Sequence, residues 1–137
     1  MQADFLDASQ RHWDDAERLF QAQRWANADQ LYGIAAECGL KCLMRAFGME
    51  VNSKNGSPTK ELDRVHANKI SARFESYRSG AEATGYVLST PGAFDNWDIS
   101  DRYAHQSNFD KSRAKGHQDG AQAVRDLIKK ARYEGRL

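Results

Sequence analysis

The run WANADQLYGIAAECGLKCLMRAF, residues 25 to 47, decides the fold of this chain. Drawn as an α-helix, it is apolar around most of its circumference. One side carries Trp25, Ala28, Tyr32, Ala35, Ala36, Gly39, Leu43 and Phe47, and another carries Leu31, Ile34, Cys38 and Cys42. A helix that is apolar on several sides is covered by neighbours on several sides. The run therefore predicts one largely buried helix around which the rest of the chain packs.

A narrow polar seam interrupts this apolar surface. Its members are spaced by seven, four and four residues and so lie in line: Gln30, Glu37, Lys41 and Arg45. Two interpretations stay open for it. The seam is a solvated or salt-bridged row of side chains, or Glu37 orients Arg102 in a polar cleft that binds a phosphate-bearing ligand.

Local signals set the expected ends and close contacts of this helix. Asn27 is a candidate N-cap, with Gln30 three residues on as the second half of a weak capping box, and Gly48 fits a helix stop. Gly33 and Gly39 each cost about 1 kcal/mol relative to alanine inside a helix. We therefore expect another backbone to come close to the helix at both glycines.

Three other apolar stripes predict further helices. The first helix, from Asp4 to about Ala22, carries Leu6, Trp13, Ala16 and Phe20. The third carries Ala67, Ile70, Phe74, Tyr77 and Ala81. The last carries Ala121, Val124, Leu127, Ile128 and Ala131, with Asp119 near its start. Between them we expect a flexible loop over residues 49 to 64 and a second loop over residues 89 to 96, whereas residues 86 to 88 fit either a short strand or a helical turn.

Composition narrows the class of protein. A length of 137 residues favours a single domain, residues 1 to 137. Twenty Lys and Arg against 19 Asp and Glu give a net charge of +1, so nucleic acid would have to be bound by a local patch. No stretch approaches the roughly 18 apolar residues of a membrane span, and the polar, acidic start does not resemble a secretory signal. We expect a cytoplasmic protein that does not bind membranes.

The two cysteines, Cys38 and Cys42, lie one helical turn apart in an apolar segment, which favours two reduced core thiols over a disulfide. A structural zinc site would need about four ligands that converge, and the sequence offers no such set. It also contains no phosphate-binding glycine loop of the GxxxxGK type. We therefore expect no metal and no cofactor.

Residues 24 to 48, RWANADQLYGIAAECGLKCLMRAFG, resemble the opening helix pair of HEPN domains (higher eukaryotes and prokaryotes nucleotide-binding). The matching residues are Ala35, Ala36, Glu37, Leu40 and Lys41. Val65 and His66 at the opening of a helix, and the segment from Trp97 to Tyr103 with its Arg102–Tyr103 pair, are similar to later landmarks of the same family.

The resemblance implies an all-α, up-and-down bundle of four to five helices, commonly a homodimer. It also implies a role in defence or toxin–antitoxin systems, or as the partner of a small nucleotidyltransferase. Ribonucleases of the family carry an Arg followed, after four to six residues, by a His. Here two residues separate Arg102 from His105, and three separate Arg113 from His117. Neither pair has the family spacing.

The segment after residue 96 supplies the other candidate binding residues. Trp97, Arg102, Tyr103 and His105 combine aromatic rings with donors that suit phosphate, a mixture that stacks a base and grips a backbone. Trp and Tyr in a small bundle also serve as core anchors, and that alternative stays open. If the cluster binds nucleotide, Arg102 contacts phosphate and Tyr103 or Trp97 stacks.

Three hypotheses for function follow. The leading one is a catalytically silent, homodimeric HEPN-like module that binds nucleotide or RNA, or a protein partner such as a nucleotidyltransferase. Its binding residues are Glu37, Lys41, Arg45, Trp97, Arg102, Tyr103 and His105. The second is a metal-independent ribonuclease that uses Arg102 with His105, or Arg113 with His117. The third is a helical scaffold that binds no ligand.

Overall fold

The computed structural model describes all 137 residues and shows an all-α protein of four helices packed together, with no sheet. The helices are α1 (Phe5–Gln21), α2 (Trp25–Ala46), α3 (Ile70–Gly80) and α4 (Lys111–Tyr133). Short 3₁₀ helices lie at Glu61–Asp63, Ile99–Tyr103 and Gln106–Asn108. None of the helices is long and apolar enough to cross a bilayer.

The helix α2 lies at the centre of the packing, as its apolar circumference predicts. It contacts α1, α4 and α3, whereas α1 and α4 touch each other only slightly. Its buried residues are Ala28, Asp29, Gln30, Tyr32, Gly33, Ala35, Ala36, Gly39, Leu40, Lys41, Cys42, Leu43 and Met44. One continuous core therefore forms around α2 from the inward faces of all the other helices.

The two glycines of α2 mark close approaches, but side chains rather than another backbone come close. A Cβ on Gly33 would overlap the indole of Trp97, and one on Gly39 would lie 2.6 Å from Cγ1 of Val124. The absence of a side chain at Gly33 thus lets Trp97 pack against α2, and its absence at Gly39 lets α4 pack against α2. The indole of Trp97, the largest fully buried side chain, fits only because residue 33 has no Cβ.

A side chain caps the start of α1, whereas none caps the start of α2. Asp4 caps α1 through a hydrogen bond from the backbone N–H of Asp7 at 3.0 Å. By contrast, α2 begins at Trp25, two residues before the predicted cap Asn27, and no side chain caps it. Gln30 donates to the carbonyl of Ile99 instead of reaching back to the helix start, so the predicted capping box is wrong. The C-terminal end is as expected, since α2 stops at Ala46 and Gly48 has a φ of 109°.

The later boundaries were only partly predicted. The helix α3 begins at Ile70, so Val65 and His66 precede the helix rather than open it. Residues 86 to 88 form neither a strand nor a helix, although Tyr86 and Leu88 are buried. The helix α4 begins at Lys111, capped by Asp110 from the N–H of Arg113, and therefore starts more than two turns before Asp119. Glycines and charged residues hid this extension, because they break the apolar stripe on which the prediction rested.

The 49 to 64 loop is non-helical for most of its length and packs on the core. Val51 and Pro58 form an isolated antiparallel bridge, and Met49 and Asp63 are buried. Asp63 accepts hydrogen bonds from Arg73 and Tyr77 of α3, at 2.7 and 2.5 Å. The loop is thereby fixed to the third helix at a point that the turn-forming composition did not indicate.

Two glycine substitutions test the packing at Gly33. Gly33→Ala places a methyl group in the indole of Trp97, and overpacking of a core costs about 1 to 3 kcal/mol, more than the helix propensity of alanine returns. Gly116→Ala is the matched control, because nothing lies within 4 Å of its added methyl group on α4. We expect the free energy of unfolding in urea to fall for Gly33→Ala and to rise by about 0.5 to 1 kcal/mol for Gly116→Ala. Equal effects would contradict the close approach.

Candidate functional site

A buried carboxylate joins α2 to α4. Asp29 of α2 is fully buried, and its Oδ1 accepts a hydrogen bond from Nδ1 of His117 at 2.5 Å. Its Oδ2 lies 3.5 Å from Nε of Arg113, one turn earlier on α4. The other ring nitrogen of His117 lies 2.8 Å from the side-chain oxygen of Asn96. We call Asp29, Asn96, Asp101, Arg113 and His117 the Asp29 network.

Arg113 extends the Asp29 network to the segment that precedes α4. Its Nη2 donates to the carbonyl of Asn96 at 2.6 Å and to Oδ2 of Asp101 at 3.1 Å. Its guanidinium also lies 5.4 Å from the ring centre of Phe109. One side chain therefore holds both ends of the 96 to 109 segment, and two carboxylates oppose its charge.

A cavity of about 600 Å³ adjoins the Asp29 network. Its walls are polar or small: Thr90, Gly92, Ala93, Asn96, Ser112, Arg113, Gly116, His117, Asp119 and Gly120. His117 contributes little accessible surface, because only 2% of its side chain is exposed. A ligand in this cavity would reach Asn96 and Ser112 before it reached the imidazole.

The polar seam of α2 is a salt-bridged row at Glu37 and Lys41. The Glu37 carboxylate accepts from Nζ of Lys41 at 2.8 Å and contacts Nδ1 of His66 at 3.0 Å. Arg102 is not among its partners, so Glu37 does not orient Arg102 as the second interpretation of the seam required. Arg45, at the end of the seam, is exposed and forms no ion pair.

Both cysteines are free thiols on the same helix. Burial and the neighbouring Glu37 charge raise the pKa of Cys38 to about 11, and burial raises the pKa of Cys42. A thiolate is the reactive form of cysteine. Neither thiol is therefore poised to act as a nucleophile at neutral pH.

The segment from 97 to 105 separates into a buried part and an exposed part. Trp97 is 1% exposed against Gly33, so it serves as a core anchor and offers no face to a base. Tyr103 is 78% exposed, and the guanidinium of Arg102 lies 4.8 Å from its ring centre. His105 is exposed, and its Nδ1 accepts from the backbone N–H of Ser107 at 3.2 Å.

A cleft of about 410 Å³ lies beside this exposed part, at the start of α2. It is lined by Gln23, Arg24, Trp25, Ala26, Asn27, Ala104, His105, Gln106, Ser107 and Phe109. We call it the α2 cleft. No carboxylate lines it, and the first turn of α2 that borders it has no side-chain cap. Of the predicted binding residues, His105 lies in its wall and Tyr103 precedes its wall residue Ala104, whereas Glu37, Lys41 and Trp97 are placed elsewhere.

The chain matches no family model, no curated protein and no solved structure. Its function is therefore inferred from the two sites themselves.

Sequence reasoning missed Asp29 and Asn96 as members of a site. Asp29 is the one carboxylate in the first three turns of α2, and a lone acidic residue in such an apolar run is a signal of a buried, paired charge. The sequence did single out Arg113 and His117 as a pair, but 84 and 88 residues separate them from Asp29. No local pattern reveals a contact over that separation.

Removing one partner of the Asp29 network should cost far more stability than removing an exposed ion pair. Asp29→Ala leaves Arg113 and His117 without their shared carboxylate, and loss of one member of a buried pair costs about 3 to 5 kcal/mol. The control is Asp119→Ala, which removes the exposed pair with Lys115 and should cost below about 1 kcal/mol. Urea unfolding of both variants gives the comparison, and a small loss for Asp29→Ala would mean that the network is not coupled.

Proposed function

We propose that the chain is a catalytically silent, HEPN-like helical module that binds RNA or nucleotide at the α2 cleft and the adjoining Arg102–Tyr103 pair. The observation that carries the proposal is the uncapped first turn of α2, which borders the same cleft as Arg24 and His105. Backbone N–H groups at a helix start have no partner inside the helix and favour anions.

The charges of the α2 cleft support a phosphate ligand. Arg24 brings a permanent positive charge, and no acidic side chain lines the walls. Because Nδ1 of His105 accepts from Ser107, the ring proton of a neutral His105 lies on Nε2. Nε2 then has no partner in the chain and can donate to a phosphate oxygen. Phosphate binding of this kind does not require a strongly basic protein, which agrees with the net charge of +1.

The Arg102–Tyr103 pair supports stacking of a base. Arg102 covers one face of the Tyr103 ring and donates from Nη2 to its hydroxyl oxygen at 3.0 Å. The ring is therefore held in place while most of its surface is exposed, and a base can lie on the free face. Tyr103 precedes the wall residue Ala104, so a single-stranded RNA could stack a base on this ring while its phosphate enters the α2 cleft.

The Arg and His side chains of both candidate pairs are already bonded within the protein, which supports the proposal that the module is catalytically silent. His117 is almost completely buried with both ring nitrogens bonded, and Arg113 already donates to Asp101 and Asn96. Arg102 and His105 share no partner, since Arg102 bonds to Tyr103 and His105 to Ser107. Acid–base chemistry requires groups that can reach a substrate, and neither pair offers two such groups together.

Binding of a fluorescent single-stranded RNA, followed by anisotropy, tests the proposal. We expect Arg102→Ala to weaken binding and to lower the slope of log K against log salt by about 1, because one phosphate contact is lost. Tyr103→Ala should weaken binding by about 1 to 3 kcal/mol with the salt slope unchanged, because it removes stacking alone.

Lys60→Ala is the matched control, since it removes an exposed positive charge far along the chain from the α2 cleft. Affinity equal to that of the unchanged protein in both the Arg102 and Tyr103 variants would refute the proposed site. Equal weakening in Arg102→Ala and Lys60→Ala, with Tyr103→Ala unchanged, would reduce it to unspecific charge attraction.

A second candidate function is a metal-independent ribonuclease at the Asp29 network. The specific observation in its favour is that Arg113 and His117 share Asp29 and line the cavity of about 600 Å³. In that reading Asp29 orients the imidazole and Arg113 stabilises charge on the phosphate.

Gel analysis of structured RNA after incubation separates the two functions. We expect no cleavage, because His117 has no free ring nitrogen. Cleavage that is abolished in His117→Gln, while the variant keeps its circular dichroism spectrum, would establish the ribonuclease instead. Cleavage that persists in His117→Gln but is lost in His105→Gln would place a ribonuclease at Arg102 and His105 and would contradict the expectation. Cleavage that persists in both variants would come from a contaminating nuclease.

Self-association stays a prediction that rests on the many apolar helix faces of a short chain and on the resemblance. A nucleotidyltransferase partner and a place in a defence or toxin–antitoxin system stay predictions that rest on the resemblance alone. The large exposed apolar side chains, Met1, Leu62, Val87, Tyr103, Tyr133 and Leu137, are scattered along the chain. They do not favour a particular surface for a second copy. The scaffold hypothesis is retained as the outcome in which the chain binds no RNA.

A further inference from the structure

We propose that a second groove, between α1 and the C-terminal half of α4, binds the phosphate groups of a ligand with linked phosphates. The groove has a volume of about 190 Å³. It is lined by Leu6, Ser9 and Gln10 of α1 and by Arg125, Ile128, Lys129 and Arg132 of α4. We call it the α1–α4 groove. The proposal does not depend on the α2 cleft, because none of these residues lines that cleft.

The three cations of the groove share one face of α4. Arg125, Lys129 and Arg132 are spaced by four and three residues, which places them in line over about 10 Å at a rise of 1.5 Å per residue. A row of this length suits two or three linked phosphates, because each cation can meet a different negative group.

These cations are not neutralised within the protein. None of the three takes part in an ion pair, and no carboxylate lines the groove. Of the acidic side chains on the two helices, Asp7 pairs with Arg11, whereas Asp14 and Asp126 accept from the amides of Gln10 and Gln122, and none of the three bonds to a cation of the groove. The positive field of the groove therefore faces solvent, in contrast to that of Arg113.

Arg125 is held ready at one end of the row. Its guanidinium lies 4.6 Å from the ring centre of Trp13, and its Nη1 donates to Oε1 of Gln10 at 2.9 Å. A guanidinium fixed by stacking loses less freedom when it binds a phosphate. Basic residues in the last turn of a helix also complement its dipole. That effect can account for Arg132, but not for Arg125, which lies two turns earlier.

Titration of the full chain with inorganic tripolyphosphate, followed by ¹H–¹⁵N NMR, tests the proposal. We expect saturable shifts of amides in residues 6 to 10 and 125 to 132. In the variant Lys129→Gln/Arg132→Gln the affinity should fall about tenfold or more, since two charge-assisted contacts are lost. The control Lys54→Gln/Lys60→Gln removes the same charge from an exposed loop and should bind as the unchanged protein does.

Shifts that do not saturate, or equal weakening in both double variants, would overturn the proposal. So would displacement of tripolyphosphate by poly-glutamate at equal charge, because the groove would then recognise negative charge and not phosphate. A single-stranded RNA that competes at these amides identifies a phosphodiester ligand, and one that does not identifies a phosphoanhydride; both results support the groove. Arg102→Ala should leave the tripolyphosphate shifts of the amides in residues 6 to 10 and 125 to 132 unchanged, so failure of this site and failure of the α2 cleft are distinguishable.

Discussion

The buried charge of Asp29 is the constraint on which the rest of the structure depends. An ionised carboxylate in the core is costly unless hydrogen bonds and opposite charge surround it. Asp29 obtains both from one turn of α4, where His117 and Arg113 lie four residues apart. This requirement fixes the rotation of α4 against α2 more strictly than apolar packing would, since apolar contacts tolerate small shifts and a hydrogen-bonded charge does not. Arg113 also forms an ion pair with Asp101, and this pair positions the segment that carries the exposed Arg102–Tyr103 pair.

Features that depend on residues close together in the chain could be predicted from the sequence, and those that depend on contacts between distant residues could not. The helix α2 was predicted nearly to its ends, because its signal lies in the spacing of its own residues. The start of α4 was placed too late, because its first turns carry few apolar residues and are defined by the Asp110 cap and by the partners of Arg113. Of the Asp29 network only the Arg113 and His117 pair was singled out from the sequence, since the other members come from two separate parts of the chain. The all-α architecture and the burial of α2 were confirmed, whereas the finer resemblance stays a proposal.

Trp97 shows why residue type alone could not separate a core anchor from a binding face. Arg102 and Tyr103, five and six residues further along the chain, are exposed, and Tyr103 carries an aromatic ring as Trp97 does. The difference arises at Gly33, which opens a slot in α2 that the indole fills. The packing is close enough that the indole N–H has no hydrogen-bond partner, a cost of about 1 to 3 kcal/mol that the large buried apolar area offsets. The exposed half of the segment is therefore anchored by its own buried half.

The same bonds that order this surface also occupy Arg113 and His117, the two groups that cleavage at the Asp29 network would need. Arg113 can hold the 96 to 109 segment only while its donors are occupied by Asn96 and Asp101, and His117 can support Asp29 only while it is buried. A phosphate that displaced these partners would leave a buried carboxylate without compensation. Arg24 in the α2 cleft and the three cations of the α1–α4 groove form no ion pair within the protein and border open clefts. The distribution of paired and unpaired charge thus supports the proposal that the protein holds phosphate groups in place over the alternative that it cleaves them.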